Sequence, residues 1–151
     1  MAGTKTPTKR AQVWSDEEKA AMQETARERR AASRRNPAEE RAAGEADVLA
    51  KIASLAEPDR TMAERVHAII KAVAPDLWSR TWYGSPAYYR DSDLICFFQE
   101  RAKFKVRYGT LGFSDKARLD DGAMWPNSYA LLELTPAVEE KIAALVKKAA
   151  S

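Results

Sequence analysis

Thr81-Trp82-Tyr83-Gly84-Ser85-Pro86-Ala87-Tyr88-Tyr89-Arg90 is the stretch on which the fold turns. Its aromatics suit a pleated strand, and Gly84 and Pro86 interrupt it, so it reads as strand, tight turn, strand. Gly84 permits a positive φ and Pro86 fixes its own, so residue chemistry shapes the corner. Asp91-Ser92-Asp93 then turns the chain, and Leu94-Ile95-Cys96-Phe97-Phe98 lies in an apolar strand over residues 94–99. Glu100-Arg101 turns it back. Residues 102–108 alternate, with Phe104, Val106 and Tyr108 on one side and Lys103, Lys105 and Arg107 on the other. That alternation predicts a half-buried strand of an antiparallel sheet.

Before this stretch the period is helical. Ser15 followed by Asp16, Glu17 and Glu18 starts a helix with a capping box, and Asn36-Pro37 ends it near residue 35. Met22 stands there among alanines and charges, which predicts weak packing. A second helix opens near Pro37 and carries Val48, Leu49, Ile52 and Leu55 on one stripe. After Pro58, residues 59–74 repeat the pattern with Met62, Val66, Ile69, Ile70 and Val73, and Pro75 closes it. Downstream, residues 109–127 read as a long loop with a helical turn near 115–119, and residues 128–134 as a last strand. Thr135-Pro136 starts a closing helix with Val138, Ile142, Leu145 and Val146. Helices, a strand meander and a final helix predict an α+β fold, an antiparallel sheet with helices packed on one face.

The 151 residues are 45% apolar, enough for a core. The net charge of +3 is unevenly placed: residues 1–44 hold ten Lys or Arg against seven Asp or Glu, and the remainder is balanced. The predicted organisation is a charged, flexible helical extension, 1–44, ahead of one α+β domain, 45–151. Residues 1–13 are polar and aperiodic, and read as a disordered lead. They carry no apolar stretch of the secretory kind. No apolar segment approaches the roughly 20 residues that span a bilayer, so a cytoplasmic protein without a membrane partner is expected. Cys96 is the only cysteine, which excludes an internal disulfide and Cys/Cys zinc spacings.

From about Asp47 to Val146 the chain resembles the YdhG-like family, domain of unknown function 1801. The likeness lies in the helix ending at Ala74-Pro75, the block Trp82-Tyr83-Gly84-Ser85-Pro86-Ala87-Tyr88, the strand Ile95-Cys96-Phe97-Phe98 and the Lys103-Phe104 segment. It implies a frataxin-like α/β sandwich, and, since some members are described as iron chaperones, a chain that handles iron.

Candidate sites follow from residue type. Trp82, Tyr83 and Tyr88, around Gly84 and Pro86, would line a ligand pocket or else fill a structural corner. Arg101, Lys103, Lys105 and Arg107 would project from one sheet face at about 7 Å intervals, attracting an anion or nucleic acid, or remaining a solvated face. Asp115, Asp120 and Asp121 offer carboxylates to a metal, or simply form turns. His67, the lone histidine, sits at the edge of an apolar stripe. Arg27-Glu28-Arg29-Arg30 and Arg34-Arg35 form a basic arm for an acidic protein or nucleic acid, or a solvated tail. No nucleophile elbow is present, so the expectation is a non-enzymatic module binding a small molecule or metal ion. The alternative is an anion- or nucleic-acid-binding module.

Overall fold

The computed structural model describes residues 14–32 and 36–151; the expected lead at 1–13 and Arg34-Arg35 lie outside the described residues. Helix boundaries fall where capping chemistry puts them. In α1 (Asp16–Ala32) the Ser15 hydroxyl accepts the Glu18 amide at 3.1 Å. In α2 (Pro37–Ser54) the Asn36 carboxamide accepts the Glu39 amide at 2.8 Å, and Pro37 occupies the first turn, where no N–H is needed. Helix α3 is Asp59–Val73.

The strands β1 (Trp78–Trp82), β2 (Ser85–Arg90), β3 (Asp93–Gln99), β4 (Gly109–Phe113) and β5 (Ser128–Leu131) form one open antiparallel sheet in chain order. The closing helix, α5 (Pro136–Ala149), is capped by the Thr135 hydroxyl, which accepts the Val138 amide at 3.2 Å. The α+β expectation therefore holds. Val48 and Ile52 of α2, Met62, Val66 and Ile70 of α3, and Ile142 and Val146 of α5 share one core with Tyr88, Cys96, Phe98, Leu111, Phe113 and Leu131 of the sheet. Each large side chain removed from water there contributes about 1.5–3 kcal/mol.

Two strand expectations need correcting. Residues 102–108 are not a strand. The Asp59 carboxylate accepts the amides of Arg101 and Ala102, each at 3.2 Å, and so caps a short helix, α4 (Arg101–Phe104). Lys105, at φ +54°, then reverses the chain. A carboxylate 42 residues upstream decides this segment, and local alternation does not register it. Conversely, residues 109–113 are a strand within the expected loop. Gly109 and Gly112 look like strand breakers, yet they leave room for the rings of Phe98 and Phe97, which a Cβ at either position would strike.

The boundary expected at residue 44 falls inside α2, which is continuous through it. Helix α1 lies across the β1–β2 end of the sheet with Ala21 and Thr25 buried. Among the described residues, no helix is long and apolar enough to cross a membrane.

Candidate functional site

Strands β1 and β2 are joined by two residues, Tyr83 and Gly84, between the paired residues Trp82 and Ser85. A two-residue hairpin turn of type I′, whose twist matches its strands, has positive φ at both central positions. Here they are +49° and +75°. Gly84 adopts this freely, whereas a bulky L-residue such as Tyr83 does so only at a cost. Tyr83 stays 42% exposed. Its ring stands edge-on to Trp82, with centroids 5.0 Å apart, and Trp82 packs in turn on Phe97 at 4.8 Å.

This turn is one wall of a pocket of about 460 Å³. Trp14, just ahead of α1, and Glu17, Glu18, Ala21 and Met22 of α1 form a second wall, and Lys103 and Phe104 from α4 a third, with Ser85 and Gln99 also lining it. Within α1, Glu17 and Glu18 stand three to five residues before Ala21 and Met22, so one helix face meets the cavity. The volume lies in the range of small-molecule sites, and the lining has the usual composition of aromatic walls and a few polar groups.

Polar contacts hold the walls together. Lys103 Nζ donates to the Tyr83 carbonyl, and Glu17 pairs with Lys105 at 3.5 Å. Glu24 pairs with Lys51 at 3.8 Å, and the Thr81 hydroxyl donates to Glu28. Half-burial pushes the Lys103 ammonium below the usual lysine range, while Glu100 opposes that shift and Lys51 adds to it. Burial likewise raises the Glu28 carboxyl, partly offset by the Thr81 hydroxyl.

The residues singled out from sequence separate. Trp82, Tyr83 and Lys103 meet in the pocket, with Gly84 shaping its turn. Pro86 and Tyr88 pair across the strands with Thr81 and Ser79, which puts them on the opposite, helix-covered face. The row of four cations does not exist. Arg101 is bound to Asp59 at 3.0 Å, Lys105 faces Glu17, and Arg107 is exposed with its guanidinium 5.8 Å from the Tyr108 ring. Asp115 lines a separate hollow with Met124 and Trp125, and Asp120 and Asp121 are exposed. Among the described residues no three His, Cys, Asp or Glu side chains are placed to hold a metal ion. Arg27 lines a polar cleft with Glu24, Glu28 and Asp47.

His67 is buried between Tyr88 and Glu45: Nδ1 lies 2.8 Å from the Tyr88 hydroxyl and Nε2 2.9 Å from Glu45 Oε1. Because Tyr88 is fully buried, this chain of contacts ties α2, α3 and β2 together. Cys96 is enclosed, and burial pushes its thiol to about 12, which leaves it an inert hydrophobe.

Sequence reasoning missed Trp14, Met22, Gln99 and Phe104. A signal did exist: Trp14 stands immediately before the Ser15 cap, and Met22 lies two turns along the helix that the cap starts. Comparison with protein-family models, curated proteins and solved structures found no match to this chain.

Proposed function

We propose that this chain is a non-catalytic, cytoplasmic binding module that takes a small aromatic molecule between α1, the β1–β2 turn and α4. The observation that carries the reading is Tyr83. Asn or Gly would fit its left-handed turn position better, yet a large ring stands there, half in solvent, at the mouth of an aromatic-walled cavity. Residues kept at conformational cost cluster where they serve a ligand.

The likeness to the YdhG-like family and its frataxin-like sandwich is part of the proposal. It is supported by the antiparallel sheet with its core helices on one face. The chemistry of the site does not favour iron, because Asp115, Asp120 and Asp121 are not gathered into a ligand set. Nor does it favour a nucleic-acid track, since Arg101 and Lys105 are each paired with a carboxylate and Lys103 lines the pocket instead of sharing a row with them.

A neutral, polarity-sensitive naphthalene dye such as 6-propionyl-2-dimethylaminonaphthalene tests the pocket. Its emission should shift to the blue saturably on the native chain. Met22→Glu, an exposed helix position facing the cavity, should weaken that binding by about tenfold or more, because it sets a carboxylate against the apolar wall. Equal binding by both proteins overturns the assignment.

A further inference from the structure

On the reading that the aromatic pocket is the ligand site, we infer that its occupant is an aryl carboxylate. The flat ring lies among Trp14, Trp82, Tyr83 and Phe104, and the carboxylate meets Lys103, Ser85 and Gln99. The lining divides by depth. Trp14, Met22, Tyr83 and Phe104 are exposed and form an apolar rim, while Lys103 and Gln99 are half-buried and Ser85 is only 1% exposed. The polar groups therefore sit at the inner end.

Those inner groups are under-used. Among the described residues, no side-chain hydrogen bond is made by Ser85 or Gln99. An ammonium has three donors, and that of Lys103 makes a single hydrogen bond, to the Tyr83 carbonyl. No carboxylate among the described residues stands within ion-pair distance of it; Glu100, Glu24 and Glu28 act on it from beyond that distance, against Lys51, and Glu24 and Lys103 both approach Gly84. The group that satisfies a hydroxyl, an amide N–H and an ammonium together is an acceptor with negative charge, and a carboxylate offers two oxygens to them.

The other charges at the rim leave room for this. Glu17 and Glu18 both line the outer part of the cavity, where Glu17 is neutralised by Lys105 at 3.5 Å and Glu18 is exposed at the helix start. An aryl ammonium would meet Lys103 in the same cavity, and a neutral arene would leave the remaining donors of that half-buried ammonium to water.

Three probes with one ring system and different charge decide the matter: 2-naphthoate, 2-naphthylmethanol and 2-naphthylmethylammonium, titrated calorimetrically into the full chain. The naphthoate should bind about tenfold or more tighter than the alcohol, and the ammonium most weakly. In Lys103→Met the naphthoate preference should fall to about twofold or less, with alcohol binding retained. If the alcohol matches the naphthoate in the native chain, or the ammonium binds best, the carboxylate assignment is overturned while the pocket stands. If none of the three binds, the pocket reading falls as well. The ranking on the native chain decides the question even if Lys103→Met does not fold.

Discussion

Tyr83 and Tyr88 lie five positions apart on one hairpin and are treated in opposite ways. Tyr88 is fully buried, with its hydroxyl 2.8 Å from His67 and its ionisation pushed well up by burial. It shares the apolar core with Ile52, Val66 and Ile70. Tyr83 is 42% exposed in a left-handed turn. What faces it is α1, tied to α4, α2 and β1 by Glu17, Glu24 and Glu28. One residue lends its ring to stability, and the other holds its ring open at a backbone cost. The same residue type thus fills the core in one place and lines the proposed site in the other, and its polar partner and backbone state tell them apart.

The largest effect should come from the core side. Tyr88→Ala should cost about 3–5 kcal/mol in urea unfolding, through the cavity it leaves. Tyr88→Phe separates packing from polarity: it leaves the His67 ring nitrogen without its partner in the core and should cost about 1–3 kcal/mol. A phenylalanine variant as stable as the native chain would mean that the His67–Tyr88 hydrogen bond contributes nothing net. Both variants should leave aromatic binding at the turn intact wherever they remain folded.

Tyr83→Asn acts on the other member of the comparison and should change stability in the opposite sense. Asn tolerates positive φ, so the variant should gain up to about 1 kcal/mol, with a rise in the unfolding midpoint and an unchanged denaturant slope. It should also bind the neutral naphthalene dye more weakly, because one wall is gone. A variant that is both more stable and equally good at binding would show that Tyr83 is a tolerated turn residue with no part in the site.

The hairpin was legible because Gly84 and Pro86 constrain the backbone locally, and the helix limits because Ser15, Asn36, Pro37 and Thr135 cap within a few residues. The α4 segment was not, because Asp59 acts on it from 42 residues away. Gly109 and Gly112 misled for a related reason: their role is to admit the Phe98 and Phe97 rings, a relation visible only across strands. The pocket was half legible. Trp82 and Tyr83 announce themselves by sequence, but Trp14 and Met22 are isolated apolar residues among charges. Their common destination depends on α1 lying across the hairpin, and polar pairs with no sequence period hold it there.

The smallest effect concerns that polar attachment of α1. Burial raises the Glu28 carboxyl above its ordinary value of 4.5, so the folded chain binds this proton more tightly than the unfolded one. Its contribution is therefore most favourable below the unfolded value, declines as pH rises through the folded value, and is flat above it. Glu17 shifts the other way, lowered first by a backbone hydrogen bond and then by Lys105, so the two partly cancel in a single pH profile. Glu28→Gln isolates the first, since a carboxamide oxygen still accepts from the Thr81 hydroxyl and does not titrate. The native-minus-variant difference in unfolding free energy should fall as pH rises from about 4.5 and then level off. Thermal melts across pH 4 to 8 read that difference. A difference that is flat over this range would mean that Glu28 is solvated and that α1 is attached there by Ala21 and Thr25 alone.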